Sequence, residues 1–473
     1  MPINPPDYIM QKSEQLGKAP IHQLLRQQAI PASIGILVMS IYGIVDTIFV
    51  GNFVGPVAIG AITVVLPITF LISSIGMAIG IGGSSIVSRA LGRGKRDHAL
   101  QTFGNQVALT VGIAVSVVAI GVFLQDPVLR LFGAQGETLL AAQEYFGIVL
   151  LGIPCLAWAM MSNTVIRAEG QPRIAMISMM VPALVNLVLD PIFIVWLDMG
   201  LAGAGWATAI AYCSAAAWTS WYFFFSGRSE MKITTDLLRL RWPIVREIFS
   251  LGSVTLARQG VIAILSIVLN NTLFAYGGAL AMSAYGIIQR LMMFTNFPVL
   301  GITQGFLPIA GYNYGAKLWK RVRQTIRLSL ISGTVIASLT FAAIMLFAPS
   351  IARLFTNDEG LIALTVPAIR ASFLATPLIL FQLIGSAYFQ AIGKAVPALL
   401  LTLTKQGFCL IPLLFILPPI MGLDGIFYAF PIADLISASL CFFFLVREMR
   451  KMSAAEVSEA AVLPVEPAVV EEK

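Results

Sequence analysis

The sequence predicts an all-α integral membrane protein with twelve transmembrane helices in two pseudo-symmetric six-helix bundles. Three observations carry that expectation: a composition alien to water, apolar runs of spanning length that recur twelve times, and first-half segments that return in the second half at nearly one offset. The 473 residues are 58% hydrophobic and 11% charged, with a mean hydropathy of +0.87, whereas soluble domains carry about a quarter charged residues. A formal charge of +7 would suggest nucleic acid only on a soluble domain with a basic face. The sequence has no such stripe, so no nucleic-acid partner is expected. Cys155, Cys213, Cys409 and Cys441 sit singly in apolar runs, which fits neither a disulfide framework nor a metal cluster. They read as small buried hydrophobes.

Residues 1–27 are polar, carry four prolines, and lack an apolar stretch ahead of a cleavage site. They read as a cytoplasmic N-terminal segment, not a signal peptide. The first bundle, 28–227, holds apolar runs centred near 40, 70, 113, 150, 184 and 212. Each is about 20 residues or longer, enough to cross a ~30 Å hydrocarbon core. Residues 228–246 carry Arg228, Lys232, Arg239, Arg241 and Arg246 and read as a cytoplasmic linker. The second bundle, 247–447, holds runs near 262, 293, 336, 374, 407 and 435. Residues 448–473 pass into Ala/Val/Glu/Pro with no apolar face and read as a disordered cytoplasmic tail.

An even number of spans puts both termini on one side. Placing them in the cytoplasm gathers Arg89, Arg93, Lys95 and Arg96 in the 2–3 loop, and Lys317, Lys320, Arg321, Arg323 and Arg327 in the 8–9 loop. About 24 of the 30 Lys and Arg then lie inside, against Arg130 and Arg353 outside, as the positive-inside rule requires. The expected location is a bacterial or archaeal inner membrane, crossed many times.

The repeat is visible in four segments. Ala168-Glu169-Gly170 returns as Ala391-Ile392-Gly393, and Gly92 with Lys95 returns as Gly315 with Lys317; the glycines of each pair are 223 positions apart. Met199-Gly200-Leu201-Ala202-Gly203 returns as Met421-Gly422-Leu423-Asp424-Gly425, and Asp46-Thr47-Ile48-Phe49 as Asn271-Thr272-Leu273-Phe274. Two halves of six helices share an orientation, which implies a pseudo-twofold axis along the membrane normal and a cavity between the halves.

Ile44-Val45-Asp46-Thr47-Ile48-Phe49-Val50-Gly51, Ile166-Arg167-Ala168-Glu169-Gly170, Asn186-Leu187-Val188-Leu189-Asp190-Pro191 and Gly203-Ala204-Gly205-Trp206-Ala207-Thr208-Ala209 resemble segments of multidrug and toxic compound extrusion (MATE) transporters, the branch with carboxylates in the first lobe. The resemblance covers all twelve spans. It implies a V-shaped pair of bundles, alternating access, and antiport of small amphipathic organic compounds against H⁺ or Na⁺. No cofactor is expected beyond that coupling ion, and the partners are the organic substrate and the lipid bilayer, met as a monomer. Related members of the superfamily flip lipid-linked sugars, so a flippase for a lipid-linked precursor or an exporter of an anionic metabolite is the alternative.

The residues support a coupling site on their own. A carboxylate inside a span costs a few kcal/mol even on the lenient insertion scale, so its default reading is functional. Asp46 lies about six residues inside the outer end of the first span; Asp190 follows the start of the fifth by some 18 residues, ~27 Å along a helix. Thr208 lies at similar depth. Asn186 and Asp190 share a helix face, as do Tyr42 and Asp46. Pro191 has no N–H, so the Leu187 carbonyl loses its helical partner. Carboxylates, amide, hydroxyl and carbonyl form an oxygen-rich nest for a proton or for Na⁺ held by Asp46, Asp190, Asn186 and Thr208. Two carboxylates together in low dielectric titrate as a unit, taking up a proton or offsetting their charge with a cation. The competing reading makes these residues acceptors that lock helices together.

Pro31 is a candidate hinge, and Tyr42 and Tyr145 candidate substrate or gating residues at the same depth. The second half shows no acid between Glu247 and Asp358 or between Glu359 and Asp424, which places coupling in the first half. It offers instead Arg258, Arg290, Arg370 and Lys405 within spans, read as snorkelling groups or as a basic wall for an anion. Trp158, Tyr285, Phe294, Phe297, Phe381 and Tyr388 offer faces to a flat cation or serve packing. An enzyme is not expected: His22 and His98 are the only histidines, and neither belongs to a nucleophile–base or metal-ligand pattern.

Overall fold

The computed structural model describes residues 13–462. Among them there is no β-strand, and long helices follow one another with short turns. The first half holds α1 (Ile21–Phe53), α2 (Pro56–Gly92), α3 (Arg96–Phe123), α4 (Gly136–Ala168), α5 (Pro172–Asp190) and α6 (Gly200–Phe224). The second begins with a helical stretch, Trp242–Gly315, of 74 residues. At 1.5 Å per residue this would be about 110 Å long, far more than a bilayer. Gly278 breaks it with φ 60° and ψ −155°, a conformation open to a residue without Cβ. The stretch is therefore two helices, α7 (242–277) and α8 (279–315). α9 (Trp319–Phe355), α10 (Glu359–Ala391), α11 (Ala395–Met421) and α12 (Leu423–Val462) complete the twelve.

Every predicted apolar centre falls in its own span, the one near 374 in the turn at 373–375 that interrupts α10, but several boundaries move. α1 starts at Ile21 and α7 at Trp242, so helix replaces part of the expected N-terminal segment and of the expected linker. The expected tail departs most, because α12 continues as helix to Val462. Met452 is buried beneath the Tyr388 hydroxyl, Arg323 donates to Ser453 at 2.7 Å and pairs with Glu456, and Lys394 holds Glu448 at 3.1 Å. A composition that looks polar and structureless is ordered by partners on α9 and α10. Residues 1–12 and 463–473 lie outside the described residues.

The repeat becomes a physical contact at the end that carries the 225–241 linker. A Cβ at Gly92 would stand 2.1 Å from the Tyr312 carbonyl oxygen, and one at Gly315 would stand 2.2 Å from the Arg89 carbonyl oxygen. Tyr312 is the repeat mate of Arg89, so this is one contact made twice across a pseudo-twofold axis. α2 and α8 cross there at backbone distance, which only glycine permits. α7 packs on α2 through Ile248 and Gly252, while α1 packs on α8 through Ala29 and Ser33.

The hydrogen bonds joining the halves cluster at this end. Ser85 donates to the Gln390 carbonyl at 2.6 Å, Arg89 meets Glu247 at 2.8 Å, and Arg321 donates to the Ala19 carbonyl at 2.7 Å. The linker is pinned by Asn105, whose Oδ1 accepts from the Arg241 amide at 2.7 Å.

Candidate functional site

Three helices of the first half each send a residue pair, spaced four apart, toward one locus. α1 supplies Tyr42 and Asp46, α5 supplies Asn186 and Asp190, and α6 supplies Thr208 and Tyr212. This spacing stacks side chains on one helical face, so packing of these helices brings the pairs together. The Asp46 and Asp190 carboxyls lie within hydrogen-bond reach of one another. Such a contact is favourable only with a shared proton or a cation between the two. Tyr42, Tyr145 and Tyr212 surround Asp46, and the Tyr145 and Thr208 hydroxyls share a hydrogen bond.

Asn186, Asp190, Thr208 and Tyr145 are buried, and Asp46 and Tyr42 are half-buried. Both polar atoms of Asn186 and Oδ1 of Asp190 are buried with no hydrogen-bond partner. Orphaned buried polar atoms cost about 1–3 kcal/mol each unless something fills them. The two oxygens are acceptors that a proton, water or small hard cation would satisfy, and a water would accept from the amide, so the residues fit the expected coupling ion. After Asp190 the chain widens into a π-helical turn, Pro191–Trp196, with the Leu197 amide donating to the Ile192 carbonyl at 2.9 Å. The missing proline N–H prevents the ordinary ladder from continuing, and π turns recur at functional sites.

Beside this cluster lies a central cavity of about 490 Å³ lined by α1, α2, α4, α5 and α6 on one side and α7, α8, α10 and α11 on the other. Tyr42 and Tyr212 belong to its wall, so the carboxyl pair sits just behind that wall. Arg258 and Lys405 line it from the second half. Arg290 and Arg370 do not line it and are exposed. Pro31 sits half-buried inside a continuous α1, away from the lining.

The aromatic candidates for a flat cation do not line the cavity either. Trp158 packs on Phe223 and Phe224, Tyr285 stacks on Phe430, Phe381 meets Phe442 edge-on, and Tyr388 is buried against Phe389. Cys155 and Cys213 are not solitary: their Sγ atoms lie 3.4 Å apart between α4 and α6, and Cys213 is exposed.

Three features escaped the sequence reading. Tyr212 follows Thr208 by one helical turn, a spacing that would have found it. Asp434 is a buried acid within α12, 2.5 Å from Lys405 Nζ; the acidic gap read in the second half stopped short of it. Lys405 is therefore ion-paired, on a second π-helical turn, Thr404–Leu410. Glu169 is buried in the α4–α5 turn. It accepts from the Tyr222 and Ser229 hydroxyls at 2.9 Å each, and from the Glu230 amide at 2.7 Å. Burial pushes its carboxyl up to about 7 against the pull of those donors.

The chain matches the MatE family model over residues 31–192 and 257–416. It is similar to the multidrug export protein MepA of Staphylococcus aureus, 28% identical over 455 residues, covering 95% of this chain and all of that one. The MepA protein of Staphylococcus haemolyticus is 27% identical over 461 residues, with 96% of this chain covered and again all of that one. Among solved structures, a MATE transporter in the bent conformation superposes with a TM-score of 0.89 at 25% identity, covering 94% of this chain and 99% of that one. A MOP superfamily transporter from Pyrococcus furiosus, described as having a binding pocket of reverse polarity, superposes with 0.87 at 25% identity, covering 93% and 99%. The paired half-chains, the twelve-helix architecture and these likenesses agree: the chain is a multi-pass membrane protein belonging to the MatE family, whose members are transporters and not enzymes.

Proposed function

We propose that this chain is a secondary active antiporter that exports small amphipathic organic compounds in exchange for H⁺ or Na⁺ by alternating access. The observation that carries the reading is the Asp46–Asp190 carboxyl contact beside the unpartnered Asn186, set directly behind the Tyr42–Tyr212 wall of the central cavity. Asp46 and Asp190 hold the ion; Asn186 and Thr208 complete its polar shell, and Tyr42 and Tyr145 relay its occupancy to the wall. Because α1 and α5 each contribute one acid, filling or emptying the site changes how these two helices attract each other. Pro31 gives α1 a place to bend in response. The multidrug export named for the staphylococcal relatives supports an organic cargo for this chain as well.

The linker end, dense in Lys and Arg, is the cytoplasmic face in this reading, with both termini there. The conformation closed at that end then opens its cavity away from the cytoplasm. The chain works as a monomer, since a single copy supplies every residue named in the central cavity and in the carboxyl pair. Purified protein in weakly buffered detergent tests the exchange. With H⁺ as the driving ion, adding transported substrate should release protons in the wild type and none in Asp46→Asn/Asp190→Asn; with Na⁺, substrate should release bound Na⁺ from the wild type alone. Equal release from both would remove the pair from the coupling.

A further inference from the structure

Building on the export reading above, we propose that the cargo of the central cavity is a soluble amphipathic organic acid, its anionic group held by Arg167 of α4 and Arg258 of α7. The cavity lining contains Arg167, Arg258 and Lys405 and, among the described residues, no Asp or Glu. These three cations differ. Lys405 is neutralised by Asp434 at 2.5 Å. Arg167 is 4% exposed; its Nε donates to Asn163 Oδ1 at 3.0 Å, one amino group rests 3.6 Å from the Met179 sulfur, and Nη1 is buried with no partner. Arg258 has no hydrogen bond or ion pair among the described residues. A guanidinium keeps its charge and a rigid fork of donors wherever it is placed. Two of them on the low-dielectric walls of one cavity whose lining has no carboxylate make a field that concentrates anions. A carboxylate or sulfonate supplies the missing acceptors in bidentate geometry.

The remaining wall argues for an apolar body. Met39, Met77, Met160 and Met179 line the cavity, and methionine adapts its shape to varied ligands. Among the described residues a cation would meet no acid in the lining, and the aromatic rings there are Tyr42 and Tyr212, too few for a cage. The volume of about 490 Å³ suits a drug-sized ligand, for which pockets run about 300–1,000 Å³, and not a whole two-chain lipid. One consequence concerns coupling. Neutralising Asp46 and Asp190 favours an anion nearby, so exchange of anionic cargo has to act through the α1–α5 contact and the shape of the cavity rather than through charge competition.

The test uses a size-matched pair, 2-naphthalenesulfonate and trimethyl(2-naphthyl)ammonium, titrated calorimetrically into the full chain in detergent. The sulfonate should bind at least about tenfold more tightly. Arg258→Gln should abolish that preference, and Arg167→Gln should do the same if it purifies as folded protein. Equimolar dioleoyl phosphatidic acid should leave sulfonate binding within about twofold. Equal or tighter binding of the ammonium, sulfonate binding unmoved in Arg258→Gln, or its displacement by the phosphatidic acid would each overturn the proposal. Binding needs no gradient, so an Asp46 or Asp190 variant that no longer couples leaves this inference standing. Conversely, a preference for the ammonium leaves the export reading standing.

Discussion

Glu169 shows what a single residue contributes and how little of it the chain order reveals. The sequence displays it in a repeat motif at the end of α4, yet its donors Tyr222, Ser229 and Glu230 lie 53, 60 and 61 positions on, and nothing local announces them. With a folded value of about 7 against an ordinary 4.5, the native chain holds a proton on this group that the unfolded chain releases. Its stabilising contribution is complete below about 4.5 and is lost as pH rises through about 7, on the order of 3 kcal/mol in all. Glu169→Gln cannot titrate, so the wild type's advantage in melting temperature over this variant should grow as pH is lowered from 8 to 5. A difference independent of pH would refute the buried-carboxyl reading. The residues proposed for coupling were legible for the opposite reason: Asp46 and Asp190 interrupt apolar runs, and an acid there is conspicuous whatever it touches. Asp434 interrupts one too, but its partner Lys405 comes from a neighbouring helix, and pairing across helices is invisible in a single run.

At the scale of elements, helix number and placement follow from apolar length alone, whereas the departures from ideal helix follow from partners. Pro191 foretells the irregular turn after Asp190. The π turn at Thr404–Leu410 has no proline within it and was not foreseen. It carries Lys405 into contact with α12, and a buried pair is costly to break, about 3–5 kcal/mol when one partner is removed. Lys405→Met or Asp434→Leu alone should lower the melting temperature, and the double variant should recover most of the loss. Additive losses would show the pair to be uncoupled. The α2–α8 crossing gives a second expectation. Gly315→Val forces a branched side chain against the Arg89 carbonyl, so the linker end should stay ajar. A cysteine placed at Ser85 should then react faster with a water-soluble maleimide than in the otherwise wild-type chain; an unchanged rate would mean that the closed contact is not needed.

For the whole molecule, the duplication was legible as matched glycines at a fixed spacing, and the fold turns them into the pseudo-twofold contact that closes one end. What the sequence could not convey is the state in which the halves meet, because Arg89–Glu247 and Ser85–Gln390 join residues 158 and 305 positions apart. Tags inserted at 235 and 460 should both report the cytoplasm, and an external tag at 235 would reverse the assignment of the closed end. The central claim is that Asp46 and Asp190 hold the ion whose exchange drives export. It is tested most directly by substrate efflux from proteoliposomes under an imposed pH or Na⁺ gradient, with wild type, Asp46→Asn, Asp190→Asn and the double variant at equal incorporation. A neutral amide is easier to bury than a carboxylate, so the variants should insert normally and lose gradient-driven efflux, with loss under one ion alone identifying the driving ion. Efflux at the wild-type rate in all three variants would contradict the account.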